Sequence, residues 1–399
     1  MNRKTILGSA ILLYFIIGFE ILIMISPFAG LFYSVFTPFL LELAKYPSTR
    51  WLSAFFLPHM VVPPDAFLKF VRVTGSVFFV AGLLVFIICA LQVYTNKFLK
   101  RGTALKGLYS IIRHPQYVGL ALAGIGLAIL WPRFLTIVLW LGMIGLYYLL
   151  SKDEERRMLK TYPDTYGAYM EKTGMFLPKK IERPLSPSGI MGKIALFALI
   201  TAFTIGSVFF LRYYTVKHLP IWTQNLNGSG PHVVALALMP DDEQKMEHRM
   251  NDILSMEEVR AKLRNNVNYL VYFIPADYIM QGLIADTGDE WRLYRRHFTL
   301  SRFMDWVLHP FSHLAGHHHS ANMETPGHAP YGMEMGVVRR LIFLNVSDGV
   351  ISQPSDFFSI NAKRVPQFMV DVDVHNLKLI QAKDLSTETG WGKLPTPMF

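Results

Sequence analysis

Two short polar runs at the ends of apolar stretches hold the side chains best suited to chemistry. The first is Arg113-His114-Pro115-Gln116-Tyr117-Val118-Gly119, shortly after Gly107-Leu108-Tyr109; the second is Asp153-Glu154-Glu155-Arg156-Arg157. Carboxylates at Glu154 and Glu155 suit a cationic ligand that carries an ammonium and sugar hydroxyls, while a guanidinium or imidazole at Arg113 and His114 suits an anionic portion. Two plainer readings fit the same residues. Arg and Tyr commonly anchor helix ends at a membrane–water boundary, and an acid–base run often forms i,i+4 ion pairs on a solvated helix.

A third constellation lies far downstream. His309, His313 and His317 have i,i+4 spacing, with His318, His319, His328, Met323, Met333 and Met335 nearby. Imidazole and thioether ligands suit copper or zinc. Pro310 and Gly316 interrupt any continuous helix there, so a solvated His-rich loop competes with the metal reading.

The elements that must position these groups follow from composition. At 52% hydrophobic and 17% charged residues, the chain is more apolar than a soluble domain, and the excess is gathered into blocks, as in membrane proteins. Apolar runs near residues 5–26, 70–94, 117–131, 134–150 and 194–211 each approach the length that crosses a hydrocarbon core of ~30 Å. Glu20 lies inside the first, and the run over 28–44, broken by Pro38, reads as an interfacial or re-entrant piece. Only Pro132-Arg133 separates the third and fourth runs, so they must form an antiparallel helical hairpin. That hairpin brings residues 113–114 beside residues 154–155.

Charge is uneven along the chain. Residues 1–213 hold 22 Lys/Arg against 9 Asp/Glu, an excess of +13, and residues 214–399 hold 17 against 20, or −3, giving the net +10. Basic loops between apolar spans are membrane topology signals, and no nucleic-acid recognition motif accompanies them, which excludes nucleic acid as a partner. The positive loops at 96–113 and 152–183 are assigned to the cytoplasm, and five crossings place the tail outside it. One cysteine, Cys89, excludes a disulfide framework. The fold class expected is a mainly α-helical integral membrane protein with about five transmembrane helices and a C-terminal α+β soluble domain. Its parts are an N-terminal helix with an interfacial segment (1–69), a core (70–190), a last transmembrane helix (191–213) and the tail (214–399). Strands are expected near 232–239, 269–274, 337–346 and 367–374, and a helix over 241–264.

Gly107, Tyr109, Arg113, His114, Pro115, Tyr117, Gly119, Glu154, Glu155, Tyr166, Tyr169, Leu177 and Pro178 occur in an order that resembles membrane methyltransferases of the isoprenylcysteine carboxyl methyltransferase and phospholipid methyltransferase type. The resemblance covers roughly residues 70–180 and says nothing of the tail. It implies a pocket for S-adenosylmethionine opening to the cytoplasm of a bacterial inner membrane, capped by the segment after the hairpin. It also implies a small or lipophilic acceptor, a thiol, carboxylate or lipid, arriving from the bilayer. By the same resemblance Gly107, Tyr109, His114, Tyr117, Glu154 and Glu155 line the cofactor. Glu155 would take a proton from a thiol or amine acceptor, and Arg113 or Arg156 would orient an anionic one. The family's carboxylate-methylating members carry arginine on the helix before the acidic pair, and residues 145–150 contain none, which counts against a carboxylate acceptor. The rival reading is a non-catalytic membrane scaffold whose His/Met-rich tail binds metal or a partner.

Overall fold

A computed structural model describes residues 39–59, 61, 65–99, 105–187, 189–224, 229–276, 278, 284–287 and 337–387. The chain divides into two compact units, one built on Ala66–Arg212, the other on Tyr213–Phe399 together with the segment that ends at Asp65.

The first unit is helical. Its elements are α2 (Ala66–Phe98), α3 (Pro115–Leu130), α4 (Phe134–Thr161), α5 (Pro163–Lys172), α6 (Lys179–Leu185) and α7 (Ile190–Lys217), and α1 (Pro47–Ser53) precedes them in the other unit. Among the described residues, α2, α4 and α7 are long and apolar enough to cross a membrane, and α3 is a shorter apolar helix. Among the described residues the expected crossings correspond to these four apolar helices, three of them of spanning length. The expected first span and Glu20 lie outside the described residues.

Two boundaries differ from expectation for local reasons. The second hairpin helix does not stop near residue 150; it runs to Thr161, because residues 152–160 are strong helix formers and no proline intervenes before Pro163. Glu154 and Glu155 therefore stand on a rigid helix. Pro163 then opens α5 at its first position.

The hairpin is pinned internally, with Trp140 Nε1 donating to the Ala121 carbonyl at 2.8 Å. Helices α2 and α3 touch backbone to backbone. A Cβ on Gly82 would lie 2.3 Å from the Ala123 nitrogen, and one on Gly126 would lie 2.3 Å from the Phe79 nitrogen. Lipid gives helices little hydrophobic reason to associate, so close approach at small residues supplies the dispersion contacts that hold the pair.

The second unit is a six-stranded sheet. Its strands are β1 (Ile221–Gln224), β2 (His232–Ala237), β3 (Asn268–Pro275), β4 (Val338–Ser347), β5 (Lys363–Asp373) and β6 (Lys378–Asp384), arranged in that order. Only β2 and β3 pair in parallel, and the chain between them supplies the necessary crossover as α8 (Pro240–Ser255) and α9 (Glu257–Lys262). Met246, Met250 and Ile253 of α8 pack against Val233, Val271, Phe343 and Val370. Intervening residues such as Val234, Leu270 and Ile342 are also fully buried, which is why the strands read as continuous apolar runs rather than alternating ones. Arg340 forms a buried bidentate pair with Asp371 across β4 and β5, at 2.7 and 2.6 Å.

The tail differs from expectation in two respects. The helix expected over 241–264 breaks at Met256, whose backbone is extended, and restarts with Glu257 and Glu258 in a new first turn. β1 and β6 were not legible, being a four-residue strand and a polar one. Of the expected interfacial piece over 28–44, residues 39–44 are described, and the chain that follows them to Asp65 belongs to this unit. Phe55 and Phe56 are fully buried, Phe55 stacks on His59 with centroids 4.5 Å apart, and Arg50 donates to the Asn361 carbonyl at 3.1 Å.

Candidate active site

Four backbone devices assemble the site. Gly107 opens a tight turn, Gly107–Ser110, with φ +64, a conformation only glycine adopts without strain. The buried Tyr109 follows, and its carbonyl accepts from the Tyr169 hydroxyl of α5 at 2.6 Å. Ile112 bridges Gly174 in parallel pairing. Arg113 N and His114 N continue that pairing to the carbonyls of Gly174 and Met175, at 2.8 and 3.1 Å. The segment after α5 is therefore stitched alongside the residues that lead into α3, and Pro115 starts that helix.

The side chains converge between the start of α3 and the end of α4. Glu155 is 3% exposed, and its Oε1 accepts from Arg113 Nε at 2.6 Å while Lys152 Nζ lies 3.2 Å from Oε2. Arg113 also donates to the carbonyls of Met170 and Thr173 at the end of α5, where a cation suits the unpaired carbonyls of a helix terminus. Glu154, 43% exposed, accepts from the Tyr117 hydroxyl at 2.6 Å. His114 lies between the two carboxylates, with Nδ1 3.5 Å from Glu154 Oε2 and Nε2 3.5 Å from Glu155 Oε1. The second is a charge contact and not a hydrogen bond, because Nε2 is buried without a hydrogen-bond partner. Ring stacking continues the cluster, His114 on Tyr117 at 5.7 Å and Tyr117 on Tyr147 at 4.9 Å.

Burial works against a charged imidazole, but the two carboxylates outweigh it and hold the His114 pKa above its ordinary value. Burial likewise pushes the phenol of Tyr166 up to about 12 and raises those of Tyr109 and Tyr169, so all three stay neutral. A raised histidine pKa means that folding favours the proton. The stabilisation is complete below the ordinary imidazole pKa of ~6.5 and is lost as pH rises through the folded value. His114→Gln is therefore expected to melt below the wild type at pH 6 and to converge on it as pH rises through the folded-state value, as thermal unfolding across a pH series would record. A gap independent of pH would mean that the imidazole is neutral throughout.

Arg113, His114, Tyr117, Glu154 and Glu155 are thus brought together, and Gly107 and Tyr109 form the adjoining turn. Arg156 is not brought in: its side chain is 72% exposed and pairs with Asp153 at 2.5 Å. Glu155 is paired with two cations, and Arg113 is engaged by a carboxylate and two carbonyls. Sequence reasoning overlooked Tyr147, Ser151 and Phe176, whose ring centroid lies 6.0 Å from that of His114. The spacing 147, 151, 155 on one helix was the available signal. His309, His313 and His317 lie outside the described residues, and among the described residues no group of three or more His, Cys, Asp or Glu could hold a metal ion.

A buried histidine shared by two carboxylates thus stands at the polar end of an apolar helical hairpin, beside a paired segment that follows α5. Residues 90–165 match the phospholipid methyltransferase family model, a stretch that holds the start of α3 and most of α4. No curated protein and no solved structure gives a significant match.

Proposed function

We propose that the helical unit is an S-adenosylmethionine-dependent methyltransferase that serves a lipid or small-molecule acceptor at the cytoplasmic face of the cytoplasmic membrane. The observation that carries this reading is the division of labour between adjacent glutamates. Glu155 is sealed in by Arg113 and Lys152, whereas Glu154, fixed by Tyr117, keeps an open side. A half-exposed carboxylate oriented by a phenol, beside stacked His114, Tyr117 and Tyr147, fits a cationic ligand bearing an amino acid and a nucleoside.

In this reading Glu154 holds the ligand's ammonium or sugar hydroxyls, and Tyr117 keeps that carboxylate in one rotamer. The stacked rings of Tyr117 and Tyr147 form an aromatic wall beside that carboxylate, and the cap over 174–177 limits water. The cofactor supplies an electrophilic methyl carbon on positive sulfur, so the protein's task is alignment and water exclusion. Arg113, committed elsewhere, serves a carboxylate acceptor poorly, which favours a lipid or thiol. Within the sheet unit Tyr214 donates to Asp65 Oδ2 at 2.7 Å.

Retention of labelled S-adenosylmethionine by the full chain in detergent tests the proposal. Wild type is expected to bind, and Glu154→Gln to bind about tenfold more weakly, the loss of one charge-assisted contact. Wild-type protein that retains no label would return the chain to the scaffold reading.

A further inference from the structure

Tyr147, Ser151 and Glu155 stand at i, i+4 and i+8 on α4, and all three are buried. Residues so spaced form one row on a helix face. Both ends of the row meet the start of α3: Tyr147 stacks on the Tyr117 ring at 4.9 Å, and Glu155 approaches His114 Nε2 at 3.5 Å. The middle residue must therefore face the same seam, between the Tyr117 ring and the His114–Glu155 contact.

Ser151 is fully buried, 0% exposed, and its Oγ has no hydrogen-bond partner. That is unusual. Serine within a helix can satisfy its hydroxyl by back-bonding to the carbonyl four residues earlier, as Ser255 does toward Asn251 at 2.8 Å; Ser151 makes no such bond to Tyr147. His114 Nε2, on the facing helix start, is the second buried atom in this seam without a hydrogen bond. Leaving a buried polar group unsatisfied is costly, so alanine would serve packing better at position 151 unless something else uses the hydroxyl. Two such atoms along one helix seam, with Glu154 3.5 Å from the same imidazole, point to a ligand that completes them.

We infer that Ser151 is a cofactor-contacting residue whose hydroxyl, with His114 Nε2, binds the α-amino-acid end of S-adenosylmethionine. This rests on the methyltransferase reading and adds to it a residue from the apolar part of the hairpin. The ammonium and carboxylate of that end offer both donors and acceptors. A serine hydroxyl can satisfy either, and the protonated imidazole suits the carboxylate.

The assignment has a signature that a structural serine would not give, because stability and affinity move in opposite directions. In the full chain in detergent, Ser151→Ala should raise the melting temperature of the ligand-free protein, since it removes an unsatisfied hydroxyl and improves helix propensity. The same variant should weaken S-adenosylmethionine binding about tenfold, the loss of one hydrogen bond to a charged group. Ser151→Cys should weaken it similarly, because a thiol is a poor donor. 5′-Methylthioadenosine, which lacks the amino-acid end, should bind wild type and Ser151→Ala equally. Equal S-adenosylmethionine affinity in wild type and Ser151→Ala would overturn the assignment alone. So would a lower melting temperature with unchanged affinity, which would mark a structural serine. Wild-type protein that binds no S-adenosylmethionine would overturn the methyltransferase reading and this assignment with it.

Discussion

Replacing Glu155 with alanine is expected to destabilise the helical unit by about 3–5 kcal/mol, the cost of stripping one partner from a buried ion pair. Arg113 is nearly as buried as Glu155, with side chains 8% and 3% exposed and the contact at 2.6 Å. Without Glu155 the guanidinium keeps its two carbonyl acceptors, on Met170 and Thr173, but has no counter-charge. Those carbonyls end α5 just before the strand-like pairing at Gly174, so strain on Arg113 spreads to the cap. Thermal unfolding in detergent would measure the loss. Arg113→Met combined with Glu155→Leu should recover most of it, since an apolar pair of similar volume removes both desolvation penalties. Glu154→Gln, at a half-exposed position, should leave the melting temperature almost unchanged while weakening ligand binding. An outcome in which Glu155→Ala melts like wild type would show that Arg113 finds another partner and that the pair does not organise the site.

The contrast between Glu154 and Glu155 marks what a sequence can and cannot convey. Both appear as identical acids in one run, and their juxtaposition with Arg113 and His114 was legible because a two-residue connection leaves the hairpin no alternative. Their roles were not legible. Which of two neighbouring side chains is sealed depends on the helix phase relative to α3 and on the cap contributed by residues 170–176, information spread over sixty residues. Arg156 is the same lesson reversed, since one step along the helix carries it to solvent and to Asp153. In the tail, the expected strands at 232–239, 269–274, 337–346 and 367–374 each coincide with a strand because their apolar runs are continuous. β1 and β6 escaped because edge strands need little apolar content. The segment around Phe55 could not be assigned from sequence, because one of its anchors, the Asn361 carbonyl that accepts from Arg50, lies some three hundred residues away.

The glycines of the hairpin show a physical constraint that a motif alone leaves unexplained. Gly119 belongs to the run that carries the family resemblance, yet its carbonyl would lie 2.5 Å from a Cβ on Gly82, so its neighbourhood is set by helix contact and not by chemistry. Gly126, two turns further along α3, is the tightest test. A Cβ there would lie 2.3 Å from the Phe79 nitrogen, 2.6 Å from the Gly75 carbonyl oxygen and 2.8 Å from the Phe79 Cα. All three are backbone atoms, so no rotamer change can relieve the clash, and α2 and α3 would have to separate. Gly126→Ala is therefore expected to cost at least about 2 kcal/mol despite the better helix propensity of alanine. Gly142→Ala on α4, where nothing lies within 4 Å of the added carbon, should be neutral or stabilising by up to about 1 kcal/mol. The two substitutions are chemically identical, both fall in apolar helices, and their melting temperatures in detergent should diverge in opposite directions from wild type. Because α3 carries His114 and Tyr117 at its start, the Gly126 variant should also lose ligand binding beyond what its stability explains. Equal melting temperatures for the two variants would mean that α2 and α3 stand further apart than this seam requires.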